Sequence, residues 1–226
     1  MGSMVINPTV ERNELSRLFG GAGRHSFSPS LSAKLECCEE RLDTLLEPRL
    51  HYRIEKIDNV GRGFVSIEGG TIFKSPKLSR ALIRSDEIVC FVATVGSAID
   101  DQIVGLMAAN HLSEAYVLDA MGSVAVENMV EQFYQGKEAK LAIRNKSVTL
   151  RFSPGYCDWP VTEQKKLFGL FDSESTGVKL LDSCLMEPRK SISGVFGLSH
   201  TVNPHPSPPY NPCQECKKTD CIARRT

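Results

Sequence analysis

The sequence predicts an α+β fold: a mixed, largely antiparallel twisted sheet flanked by helices. Three observations carry this. Segments with strand and helix periodicity follow one another without regular βα alternation. Phe64 to Ile67 and Thr71 to Phe73 flank Gly69-Gly70, and a glycine pair that can supply positive φ between two short apolar runs reads as a hairpin. Glu87 to Val95 is a near-continuous apolar run, the mark of a central strand. A chain of 226 residues is long enough to bury a sizeable core without disulfides.

The elements follow in order. Residues 1–27 are polar and glycine-rich around Gly20-Gly21-Ala22-Gly23, so a flexible N-terminal arm is expected, with residues 1–3 an expression scar before Met4. Ser28 can cap a helix and Pro29 suits its first position. Leu31, Leu35, Cys38, Leu42 and Leu45 then share one helical face, and Pro48 ends it. Leu50, Tyr52 and Ile54 alternate as in a strand. Ser75-Pro76 opens a short helix to about Arg84. Gly96-Ser97 leads into a helix with Ile99, Ile103, Leu106 and Met107. A longer helix is expected from Ser113 to Gln135, stopped by Gly136, with Glu127 at the edge of its apolar stripe. Ser147 to Ser153 alternates as a strand, Pro160 to Phe171 reads as a helix, and Val178 to Leu185 and Ser191 to Leu198 read as strands. The expected domains are the arm 1–27, an α+β domain 28–200, and a proline-rich arm with a cysteine tail over 201–226.

Composition removes several classes. Lys+Arg and Asp+Glu are both 27, so the chain lacks the basic excess of a nucleic-acid binder or a polybasic membrane anchor. No apolar stretch nears 18 residues and no signal peptide pattern appears, so a cytoplasmic protein is expected. Neither G-x-G-x-x-G after a strand nor a Walker A loop occurs, and G-x-S-x-G and H-E-x-x-H are absent.

The most specific signal in the core is Arg151-Phe152-Ser153-Pro154-Gly155-Tyr156. Arg151 falls on the non-apolar face of its strand. A guanidinium suits a carboxylate, Gly155 permits close approach to the backbone, and Tyr156 offers an amphipathic ring. These make a small-ligand site. The bland alternative is a surface arginine before an ordinary Pro-Gly turn.

Arg-x-x-x-Gly-Tyr, then a helix, then Gly177-Val178-Lys179-Leu180, then Pro188-x-Lys190-Ser191-x-Ser193-Gly194 resembles the activation domain of cobalamin-dependent methionine synthase. Ala93-Thr94-Val95-Gly96 with Ile99-Asp100 fits its stand-alone bacterial relatives. The resemblance spans roughly residues 85–200. It implies binding of S-adenosylmethionine and reductive methylation of inert cob(II)alamin. The cobalamin is carried by a partner, either a corrinoid protein or a core methionine synthase, and electrons come from a flavodoxin or ferredoxin-type reductant. No histidine lies in a D-x-H-x-x-G motif, so the chain is not expected to hold base-off cobalamin itself. By position, the resemblance implies that Arg151 pairs with the methionyl carboxylate. Ser153 gives backbone contacts, Gly155 close access, and Tyr156 lines the site. Glu127 faces the ammonium or sulfonium; its alternative is a helix-edge carboxylate in water. The family's aspartate near the N-terminal end has no evident counterpart, and Tyr210 is a loose match for a family tyrosine.

Cys213-x2-Cys216-x4-Cys221 places three soft thiolates in a short polar tail. Zinc or an iron–sulfur cluster suits them. Cys157, Cys184, His200, His205 or a partner could supply a fourth ligand, and a labile disulfide or free thiols are the alternatives. Two functions therefore stand side by side: an S-adenosylmethionine-binding reactivation subunit, or an Fe–S or zinc redox or scaffold subunit that docks a corrinoid protein and keeps only a vestigial ligand site.

Overall fold

A computed structural model describes residues 1–19, 27–144, 146–199 and 209–217. Its elements in chain order are β1 (Gly2–Met4), α1 (Arg12–Leu18), α2 (Pro29–Leu45), β2 (Arg49–Gly61), β3 (Phe64–Ile67), β4 (Ile72–Lys74), α3 (Pro76–Leu82), β5 (Glu87–Thr94), α4 (Ala98–Ala108) and α5 (Leu112–Ala142). There follow β6 (Ser147–Val148), a 3-10 turn (Val161–Glu163), α6 (Gln164–Phe168), α7 (Ser173–Thr176), β7 (Lys179–Leu180), β8 (Met186–Glu187) and β9 (Ser191–Ser199). The main sheet runs β4-β3-β2-β5-β9-β6, with β1 also on β2, and every pairing is antiparallel. The fold is the expected α+β arrangement. Among the described residues, no helix is long and apolar enough to cross a membrane.

The apolar run in β5 reflects burial on both faces. Val89, Phe91 and Ala93 face a core formed with α1, α2, α4 and α5, where Leu15, Leu35, Met121 and Phe133 lie. Ile88, Cys90 and Val92 face a second core with Val65, Phe73, Leu78, Leu82 and Trp159. Side chains alternate across a strand, so a strand between two layers has no polar face left to show.

Four features differ from the sequence expectation. Within 1–27, expected as a flexible arm, the described residues 1–19 form β1 and α1. Leu15 is fully buried, and Ile6, Val10, Leu18 and Phe19 pack on the first core. These sparse apolar residues find their partner surface only in the folded chain. The three residues assigned to an expression scar include two of β1, Gly2 opposite Tyr52 and Ser3 opposite His51. Helix α5 runs through Gly136 to Ala142; a helix-interior glycine costs about 1 kcal/mol, too little to end a helix packed along much of its length. The strand expected over Ser147–Ser153 pairs only at Ser147–Val148 and again at a bridge from Phe152 to Val195. The strand expected over Val178–Leu185 is a small β7-β8 ladder closed by a turn.

His51 sits half-buried on β2 with its Nδ1 buried and lacking a hydrogen-bond partner among the described residues. Burial, then Arg49, holds its pKa below the usual histidine range. The unfolded chain therefore takes up the proton first. The neutral ring favours folding above the unfolded pKa, near 6.5, and this is lost as pH falls through the folded value. Denaturant midpoints measured from pH 7.5 to 5 are expected to fall less steeply for His51→Gln than for the parent.

Candidate functional site

The site grows from one seam between β9 and the segment carrying Arg151. Phe152 and Val195 exchange both backbone hydrogen bonds, each 2.8 Å. Gly194 makes the contact possible. A Cβ there would stand 2.7 Å from the Phe152 carbonyl oxygen, 2.8 Å from Ser153 Oγ and 2.9 Å from Phe91 Cζ. The neighbouring residues lock the same corner. Lys190 is buried, and its Nζ donates to Asp119 (2.7 Å) and Ser123 (3.0 Å) of α5. Ser191 Oγ donates to the Pro188 carbonyl (2.6 Å) and stands within hydrogen-bond distance of the Thr94 hydroxyl (2.9 Å). The Arg189 amide donates to Asp100 of α4 (2.7 Å).

This seam delivers Arg151 to the side of α5. Its side chain is only 13% exposed. Nη2 donates to Glu131 at 2.9 Å, Nη1 lies 3.7 Å from Glu127, and the guanidinium carbon is 6.0 Å from the centre of the Tyr134 ring. Residues 127, 131 and 134 are spaced by four and three, so they share one helical stripe.

A cavity of about 500 Å³ opens over this stripe. Ser123, Glu127, Glu131, Arg151 and Tyr156 form one wall, and α1 with the residue before it forms the other through Glu11, Glu14 and Arg17. Four carboxylates face two guanidiniums. Glu14 pairs with Arg17 at 3.0 Å and Arg151 with Glu131. The lining thus carries an excess of negative charge, which suits a ligand with a cationic part.

Of the residues singled out in sequence, Glu127, Arg151 and Tyr156 line this one cavity. Ser153 and Gly155 lie in the loop between and do not line it. Gly155 serves differently from the expectation of close approach. A Cβ there would meet nothing nearer than Val161 at 3.7 Å, but its φ of +92° belongs to the region glycine tolerates. That turn lets the Gly155 amide donate to the Trp159 carbonyl at 2.8 Å and sets Tyr156 on the cavity rim. Tyr210 is elsewhere, stacked under Arg80. Sequence reading missed Glu131, although its spacing of four from Glu127 was a usable signal. It also missed Glu11, Glu14 and Arg17, for which no local signal exists. Of the tail cysteines, Cys213 and Cys216 are described, while Cys221, His200 and His205 lie outside the described residues. No set of three His, Cys, Asp or Glu side chains stands at metal-ligand spacing among the described residues.

The model of one protein family matches residues 81–219: the activation domain of vitamin B12-dependent methionine synthase. The match covers more than half of the chain, and the chain belongs to that family. Among solved structures, the fold is similar to the MetH reactivation domain bound to AdoHcy, with a TM-score of 0.63 at 20% identity over 92% of this chain and 81% of that one. No curated protein matches the sequence.

Two substitutions test the seam and the turn. Gly194→Ala forces backbone apart, and overpacking of this kind costs about 1–3 kcal/mol. Gly155→Ala should cost about 1–2 kcal/mol, the penalty for a left-handed L-residue. Urea unfolding of both variants is expected to show the losses. Gly194→Ala is also expected to make Arg151 more mobile, read from side-chain NMR of its guanidinium.

Proposed function

We propose that this chain is an S-adenosylmethionine-binding reactivation subunit. It supports reductive methylation of cob(II)alamin held by a separate corrinoid protein or a truncated cobalamin-dependent methionine synthase. The observation that carries the reading is the acid-lined cavity on α5 with Arg151 fixed in its wall, in a chain of the activation-domain family. The AdoHcy in the related structure supports the same ligand chemistry.

S-adenosylmethionine is an amino acid with an added sulfonium, so it needs one protein cation and more than one anion. Arg151 receives the carboxylate, for which Glu131 must share the guanidinium. Glu127 faces the ammonium or sulfonium. Glu11 and Glu14, brought in by the N-terminal segment, add to the negative field of the cavity. Tyr156 covers the ligand from the rim, while Ser153 and Gly155 hold the loop that carries it. Held by Arg151 and Glu127, S-adenosylmethionine would supply the methyl group to the partner's corrinoid and be left as S-adenosylhomocysteine, with the one electron that cob(II)alamin requires coming from a flavodoxin or ferredoxin-type protein. This chain contributes no nucleophile. Its part is proximity and orientation, and the reaction is completed by the partner.

Calorimetric titration of S-adenosylmethionine into the anaerobically purified protein tests this. A hydrogen bond to a charged group is worth about 1.5–3 kcal/mol, so Arg151→Ala is expected to weaken binding by roughly ten- to a hundredfold. Absence of binding to the parent at millimolar ligand, alone and with the corrinoid partner, refutes the reading. A second measurement uses charge. Raising salt from 0.05 to about 0.5 M shortens the screening length, so affinity for S-adenosylmethionine should fall more than affinity for S-adenosylhomocysteine, a zwitterion that lacks the sulfonium charge.

A further inference from the structure

Lys190 does not line the cavity, yet it touches a side chain that does. Its stem crosses α5 at Gly122, where an added Cβ would stand 3.1 Å from Lys190 Cγ and 3.3 Å from Cδ. Its ammonium is buried, with Asp119 Oδ1 at 2.7 Å and Ser123 Oγ at 3.0 Å. An ammonium carries three donors and no acceptor. The Ser123 proton therefore cannot go to Lys190. It goes to the Asp119 carbonyl, one turn back along α5, at 3.0 Å. A hydroxyl has one donor and two acceptor sites, and the protein takes the donor and one acceptor site here. Ser123 can offer the cavity a single lone pair. It can accept from a ligand but has no proton left to give.

The position of Ser123 gives this restriction a use. Ser123, Glu127 and Glu131 follow one another at a spacing of four along the cavity wall. Arg151 reaches Glu131 and Glu127, so the ionic groups gather at one end of the row. Ser123 is the other end, one turn beyond Glu127, and its neighbour Val124 adds apolar surface to the lining. Residues 123 and 131 lie about 12 Å apart along the helix axis, at 1.5 Å per residue. An amino acid seated on Arg151 and Glu127 and extended along this row brings the group on its side chain to Ser123.

We propose that Ser123 recognises the nucleoside of S-adenosylmethionine by accepting one hydrogen bond from it, with Lys190 as the positioning residue that fixes the hydroxyl as an acceptor. This rests on the S-adenosylmethionine reading of the cavity and adds the residue that selects the nucleoside end. The ligand supplies an N–H or O–H, from the exocyclic amine of adenine or from a ribose hydroxyl. A carbonyl oxygen in the same place would set one lone pair against another and be disfavoured.

The test is calorimetric titration of the full chain with S-adenosylmethionine, S-adenosylhomocysteine and three analogues of the latter. One analogue carries a carbonyl in place of the adenine amine; the others lack the 2′- or the 3′-hydroxyl. Loss of one neutral hydrogen bond corresponds to about two- to tenfold in affinity. The parent is expected to bind one analogue more weakly than S-adenosylhomocysteine by that factor, and the analogue affected identifies the donor. In Ser123→Ala, S-adenosylhomocysteine should weaken by a similar factor and the discrimination should disappear, the coupling expected of two groups in contact. Lys190→Met frees the Ser123 hydroxyl to turn and donate, so discrimination should shrink there too. Circular dichroism checks folding, and Ser123→Ala carries the test if Lys190→Met does not fold. A folded Lys190→Met with the parent's discrimination overturns the role of Lys190. A parent that binds all three analogues as tightly as S-adenosylhomocysteine overturns the assignment of Ser123. So does a Ser123→Ala variant that keeps the parent's discrimination, whether or not it weakens binding overall. In both cases the S-adenosylmethionine reading stands. A parent that binds neither S-adenosylmethionine nor S-adenosylhomocysteine, alone and with the corrinoid partner, overturns both.

Discussion

The close seam at Gly194 is the constraint on which the candidate site depends. Phe152 and Val195 can exchange backbone hydrogen bonds only because position 194 carries no side chain. That contact fixes where Arg151 leaves the sheet. Lys190, four residues earlier, ties the same stretch to α5 through Asp119 and Ser123. The arginine and the helix it meets are thus positioned from one short segment of β9 and the turn before it. Residues 188–194, which carry much of the family resemblance, serve as the clamp behind the cavity wall and supply none of its lining.

The two cores make that clamp rigid. β5 and β9 pair over their full shared length, with the first core and its four helices on one face and the second core on the other. Interiors packed on both faces transmit strain poorly into solvent and readily into neighbours. A misfit at the seam therefore displaces Arg151 instead of relaxing outward. The cavity lies where α1 and the residues before it face the acidic stripe of α5.

On the proposed function, charge is what gives the cavity its selectivity. A lone guanidinium would attract any small carboxylate. Here Arg151 is half-neutralised by Glu131, with Glu127 close by and two more carboxylates across the gap. An ordinary anion meets a net negative wall, whereas a ligand that combines a carboxylate with positive centres is matched at both ends. Glu131 also orients the guanidinium before any ligand arrives, which lowers the ordering cost of binding.

The sequence by itself determined the α+β class, the central strand, the hairpin, most of the helices and the segment around Arg151. Each rests on local physics: alternation for strands, three-four spacing for helices, and Pro-Gly for the break after Phe152. It also put Glu127 on the correct edge of its helix, since helical spacing is a local property. Tertiary structure decided the rest. That α1 walls the cavity depends on Leu15 finding a pocket against α5, which no local pattern in a polar, glycine-rich stretch encodes. That Gly155 is needed for its φ, Gly194 for its missing Cβ and Lys190 for a buried ion pair became legible only once distant segments were in contact.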